Sequence, residues 1–151
     1  MLLVIRRGIS REVLAIIPAR RGATRLRDKP LRLLGGAPLI LRVWQRVSSF
    51  GLAQTVVVAT DDHEVQQTID AAGGRAVLTR ADHPSGTDRV AEVAARPEFA
   101  TASVVLNVQG DEPFVDELAV RARSTWSPAG AHPSVRRRSR RPSRRSTTPT
   151  A

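Results

Sequence analysis

The chain has 151 residues, a formal net charge of +10 at pH 7 and no cysteine, which excludes disulfide frameworks, thiolate metal sites and cysteine catalysis. Nine of its 24 basic residues lie in residues 121–151, a stretch without any acid, leaving fifteen basic against fourteen acidic residues upstream. The body is therefore near neutral and lacks the charge surplus of a folded nucleic-acid-binding face, while a chain of this length has room for one domain burying about 70% of its unfolded surface.

The opening MLLVIRRGIS carries a five-residue apolar run, too short for a signal-peptide core, and no later stretch reaches the length of a membrane span. A cytoplasmic protein without a membrane partner is expected, with residues 1–11 as an N-terminal extension. From Glu12 short apolar runs alternate with amphipathic stretches, the pattern of β-α-β units around a parallel sheet. Residues 13–17 (VLAII) read as a first buried strand. Pro38 suits a first helical turn, after which Leu39, Ile40, Val43, Trp44 and Val47 recur at helical spacing until Gly51.

Residues 55–60 (TVVVAT) form a second strand, and Asp61 or Asp62 caps a helix with Val65 and Ile69 inward that ends at Gly73 and Gly74. Residues 75–78 (RAVL) are a third strand, followed by a loop over 79–87, a helix with Val90, Val93 and Ala94 inward, and a fourth strand over 103–108. Four strands and three helices fit an α/β fold with an open, doubly wound, Rossmann-like sheet. After Val120 the composition turns to arginine, serine, proline, threonine and alanine without apolar periodicity, so residues 121–151 are expected to be disordered. That composition is also what shifted GC-rich codons produce, and the tail is read as a frameshift product.

Three loops carry chemistry. Residues 16–31 (IIPARRGATRLRDKPL) run from a buried strand into a loop crowded with Arg20, Arg21, Arg25, Arg27 and Lys29, with Gly22 permitting close backbone approach to an anion. Arginine forks and a lysine point charge at a strand's carboxyl end suit a triphosphate, although a solvated basic loop has the same spacing. Residues 79–89 (TRADHPSGTDR) place Ser85, Gly86 and Thr87 where they cap the next helix or present donors to a ligand. His83, a single loop histidine without a second at ligand spacing, is expected at the surface. Residues 107–114 (NVQGDEPF) end a strand in Asp111 and Glu112; Asp111 suits a hard cation such as Mg²⁺, the alternative being that both carboxylates cap the next turn.

In this order the IPAR-x-x-x-T-R-L-x-x-K-P-L loop, the TRADH-x-SGT-x-R loop and the NVQGDEP strand end resemble the 3-deoxy-manno-octulosonate (Kdo) cytidylyltransferases over roughly residues 12–120. The resemblance implies a sheet of the nucleotide-diphospho-sugar transferase type and attack of the anomeric hydroxyl of Kdo on the α-phosphate of CTP, giving CMP-Kdo for lipopolysaccharide assembly and pyrophosphate. It implies that Arg20, Arg25 and Lys29 neutralise the triphosphate and carry catalysis. It also implies that Ala19, Arg80, Ser85, Gly86 and Thr87 line the cytidine, that Gln109 lies beside nucleotide and sugar, and that Asp111 binds Mg²⁺ as cofactor.

Sialic-acid cytidylyltransferases share the fold and the opening strand, which keeps another acidic sugar as an alternative substrate, but their loop differs at Ala23-Thr24-Arg25 and Lys29-Pro30. Within the loop the family carries Pro-Gly where this chain has Arg27-Asp28, and serine where it has Ala23. The family also continues past this point with most sugar contacts, a further metal-binding aspartate and a homodimer-forming segment. The expectation is therefore a truncated, poorly active form, the alternatives being an inactive CTP-binding fragment or a nucleic-acid-associating protein acting through its tail.

Overall fold

A computed structural model of the chain describes residues 3–6, 12–20 and 28–124. In chain order its elements are β1 (Leu3–Arg6), β2 (Val13–Ala19), β3 (Leu33–Leu34), β4 (Ala37–Pro38), α1 (Leu39–Ser49), β5 (Thr55–Thr60), α2 (His63–Ala71), β6 (Arg75–Leu78), α3 (Gly86–Ala94), β7 (Val104–Asn107) and α4 (Glu117–Ser124). Short 3-10 turns cover Lys29–Leu31 and Pro97–Phe99.

β2 is central because its side chains are apolar in both directions. Leu14 to Ala19 are all buried, as a strand covered on both faces requires. Ala15, Ile17 and Ala19 face one layer, with Ile40, Val43 and Val47 of α1 and Val65 and Ile69 of α2. Leu14 and Ile16 face the other, with Val90, Val93 and Ala94 of α3 and with Phe99. The strand period of two thus divides one apolar run between two cores, and the result is a helix–sheet–helix sandwich. The observed strands overlap the four expected from sequence, and the helices overlap the three.

The elements not foreseen are β1, the small β3–β4 hairpin and α4. β1 pairs antiparallel with β7, in register Leu3↔Asn107 to Arg6↔Val104, and adds an edge strand from within residues 1–11. α4 runs past Val120, which is buried against the α1 layer, to Ser124. Residues 125–151 lie outside the described residues.

Strand order decides where a ligand can sit. The sheet reads β1-β7-β2-β5-β6, with β7, β2, β5 and β6 parallel. From β2 the chain winds outward through α1, β5, α2 and β6, then crosses by α3 on the opposite face to place β7 on the far side of β2. The winding therefore reverses between β2 and β7, and the crevice beyond their carboxyl ends is the topological switch point at which open α/β sheets bind ligands.

Candidate functional site at the sheet switch point

The end of β2 supplies Pro18, Ala19 and Arg20 to a cavity of about 190 Å³ at that switch point. The turn after the basic loop adds Lys29 and Pro30, the first residue of α3 adds Gly86, and the segment after β7 adds Gln109, Gly110 and Asp111. Two glycines make this convergence possible. A Cβ on Gly110 would lie 2.5 Å from the Pro18 carbonyl oxygen, so only a residue without a side chain lets the β7 loop pass this close to β2. A Cβ on Gly86 would meet the Pro18 ring at 3.3 Å, which seats the start of α3 against the same proline.

The cavity carries both signs of charge. Lys29 Nζ donates to Asp111 Oδ2 at 2.7 Å, and the two side chains are 35% and 49% exposed, so both remain within reach of a ligand. Lys29 opens a 3-10 turn whose buried Pro30 anchors it, and the preceding Asp28 has left-handed backbone angles, φ 59° and ψ 21°. A residue with a Cβ is sterically disfavoured there, which gives a physical reason for the glycine that the resembling family carries at this point.

Of the residues expected to bind nucleotide, Ala19, Arg20, Lys29, Gly86 and Gln109 are brought together around the cavity, with the expected metal ligand Asp111. Ser85 sits beside it as the cap of α3: its Oγ accepts from the Asp88 N–H at 3.2 Å and donates to Asp88 Oδ2 at 2.5 Å. Thr87 follows Gly86 in the first turn of α3. Arg80 does not line this cavity. Its side chain is 70% exposed and lies 3.6 Å from Asp82 and 3.8 Å from Glu92. Arg25 lies outside the described residues.

Asp111 suits a hard cation in ligand type, but among the described residues it is the one carboxylate lining the cavity. Among the described residues no group of three or more Asp, Glu, His or Cys could hold a metal. That arrangement fits Mg²⁺ arriving on phosphate oxygens with most of its waters, since such ions take one or two carboxylates and the rest from substrate.

The loop from Thr79 to Arg89 is held from beneath by side chains of α3. His83, expected at the surface, is buried, and its Nε2 lies 2.5 Å from Glu92 Oε2. Its burial follows from Glu92, which also accepts from the Arg80 backbone N–H and from Arg96 Nη2, so one carboxylate gathers three donors around the histidine. Burial alone would raise the Glu92 pKa. Hydrogen bonds from His83, the Arg80 amide and Arg96, with the charge of His83, outweigh that and hold the carboxyl below its ordinary range. Asp62, not Asp61, caps α2, its Oδ1 accepting from the Glu64 and Val65 N–H groups. Asp61 turns inward to Arg89, whose side chain is wholly buried, at 3.3 Å.

The residues that motif reading passed over are thus Pro18, Pro30 and Gly110, which shape the cavity, and the Asp61–Arg89 pair. The glycine between Gln109 and Asp111 was the available signal for the first group. A larger hollow of about 700 Å³ lies between Leu34, Arg42, Arg46 and Phe114. Its Arg42 donates to the Leu34 and Gly35 carbonyls, and no carboxylate among the described residues lines it.

A mostly parallel sheet with Arg20 and Lys29 facing the Asp111 carboxylate across its switch point defines an α/β nucleotidyltransferase-like fold. The sequence model of the cytidylyltransferase family matches residues 14–125, and the chain belongs to that family. A 3-deoxy-manno-octulosonate cytidylyltransferase from Gemmatimonas aurantiaca is 65% identical over 108 residues, which are 72% of this chain and 42% of that protein. Among solved structures, a CMP:2-keto-3-deoxy-manno-octonic acid synthetase complexed with CTP matches with a TM-score of 0.68 and 42% identity, over 74% of this chain and 45% of that one. A nucleotidyl transferase from Methanothermobacter thermautotroptrophicus shares the fold at a TM-score of 0.59 and 23% identity, over 76% of this chain and 57% of that one. The chain spans less than half the length of the curated relative and of the CTP-bound structure.

Proposed function

We propose that residues 12–124 form the CTP-binding part of a cytidylyltransferase that activates Kdo, converting CTP and Kdo to CMP-Kdo and pyrophosphate. The observation that carries this reading is the pairing of Lys29 with Asp111 across the mouth of the switch-point cavity, at 2.7 Å. A lysine and a carboxylate in contact neutralise each other and offer an exchange to a magnesium triphosphate: phosphate oxygens for Lys29, the cation for Asp111. The name and bound nucleotide of the structural relative support CTP as that triphosphate.

In this reading the hydroxyl oxygen of the sugar attacks the α-phosphorus, a new P–O bond forms, the bond to the β-phosphate bridge breaks, and pyrophosphate leaves as the hydroxyl proton is released. Mg²⁺, when bound, offsets charge that develops on the phosphates. Arg20 and Lys29 do the same from the protein side and orient the leaving group. Gly86, pressed against Pro18, gives the nucleoside a flat wall without a side chain, and Gln109 presents an amide between nucleotide and sugar. The direct test is calorimetric titration of the chain with CTP, UTP and ATP in the presence of Mg²⁺. Saturable binding with CTP preferred supports the reading, and equal or absent binding of all three contradicts it.

A further inference from the structure

Arg89 is the most deeply buried cation among the described residues, with no exposed surface, and it stands in the first turn of α3, three residues after Gly86. Its Nη1 donates to Thr79 Oγ1 at 2.5 Å and its Nη2 lies 3.3 Å from Asp61 Oδ2. Thr79 in turn donates from both its N–H and its hydroxyl to the Thr60 carbonyl. One guanidinium therefore ties the start of α3 to the residues that follow β5 and β6, and it closes the base of the whole loop from Thr79 to Arg89. The arrangement is a poor device for stability. Arg89 Nε and Nη2 and Asp61 Oδ1 are buried without a hydrogen-bond partner among the described residues, and an incompletely satisfied buried ion pair is often no better than apolar packing of the same volume. What it does supply is fixed placement, and the part placed is the Ser85–Gly86–Thr87 end of α3, where Gly86 meets Pro18 at the cavity.

We infer that Arg89, paired with Asp61 and Thr79, is a positioning residue for the nucleoside side of the site, acting through Gly86 without touching the ligand. The inference rests on the CTP-binding reading above. Lys29, Arg20 and Asp111 belong to other elements, the ends of β2 and β7 and the loop between, so the phosphate side should be insensitive to the pair.

The test compares CTP with inorganic tripolyphosphate, each titrated with Mg²⁺ into the wild-type chain and into Asp61→Asn/Arg89→Met, a double change that leaves no lone buried charge. The CTP Kd is expected to rise about tenfold or more while the tripolyphosphate Kd stays within about twofold, whatever the melting temperature does. Thr79→Val, which removes the hydroxyl at nearly constant shape, gives a second reading if the double variant does not fold; it should weaken CTP in the same selective way, and Thr79→Ser should restore it. An unchanged CTP Kd in these variants overturns the inference alone, as does equal weakening of both ligands, which is the mark of general destabilisation. A wild-type chain that binds tripolyphosphate but not CTP removes the nucleotide reading and the inference with it.

Discussion

Lys29 Nζ and Asp111 Oδ2 stand 2.7 Å apart although 82 residues separate them in the chain, and their contact joins the turn that opens at Lys29 to the segment that follows β7. The pair sets opposite demands on its two members. Lys29→Ala should weaken CTP binding about tenfold to a hundredfold, the range for a charge-assisted contact, as read by titration at fixed Mg²⁺. A Kd within about twofold of wild type would remove Lys29 from the phosphate site.

Asp111 should act through the cation. In the wild-type chain, withdrawing Mg²⁺ with a chelator is expected to weaken CTP markedly, because the carboxylate then faces phosphate directly. Asp111→Asn should bind CTP with little dependence on Mg²⁺. If the variant kept the full metal dependence, the ion would be held elsewhere.

Asp28 adopts a left-handed backbone conformation immediately before Lys29. Asp28→Gly should relieve steric strain of about 1 kcal/mol and remove a negative charge beside the phosphates. Both a higher denaturant midpoint and tighter CTP binding are expected. A lower midpoint would mean that the carboxylate's interactions outweigh the strain.

Gly110→Ala places a methyl group 2.5 Å from the Pro18 carbonyl oxygen, against backbone that cannot swing aside as a side-chain tip would. Forcing the β7 loop away from β2 should destabilise the fold by about 1–3 kcal/mol and displace Asp111 from Lys29. Chemical denaturation gives the first quantity and CTP titration the second. A fully stable variant with native affinity would show that the close approach is dispensable.

Acid should act on the loop through Glu92. Its carboxyl titrates below its ordinary value of 4.5 in the folded chain, so the unfolded chain binds the proton more readily. The group therefore stabilises the fold fully above that value, and the contribution is lost as pH falls through the folded pKa. Glu92→Gln should be less stable than wild type near neutral pH, with the difference shrinking below about pH 4.5 in pH-dependent melting curves. A constant difference down to strongly acidic pH would contradict the hydrogen-bonded carboxylate.

Much of this protein was legible in one dimension. Ile16 and Ile17 within an unbroken apolar run, Val65 and Ile69 four apart, and Val90, Val93 and Ala94 on one helical face all declare their elements, because hydrophobic periodicity is a local property of the chain. The charged loop ending in Lys29 and the carboxylates after the last strand could likewise be seen as chemistry of the right kind. That they share a site was expected through the family resemblance; the direct contact depends on β7 crossing to the far side of β2, with α3 packed on the opposite face of the sheet. His83 read as a surface residue because its partner Glu92 belongs to another element. Arg89 has no role legible in the sequence because its burial exists only where Asp61 and Thr79 close over it. Sequence by itself determined which segments become strands and helices and which side chains can bind phosphate or a cation. Only the tertiary structure decided which of them share a site, since strand order, close backbone approach at Gly110 and the burial of a charge are set by contacts between residues far apart in the chain.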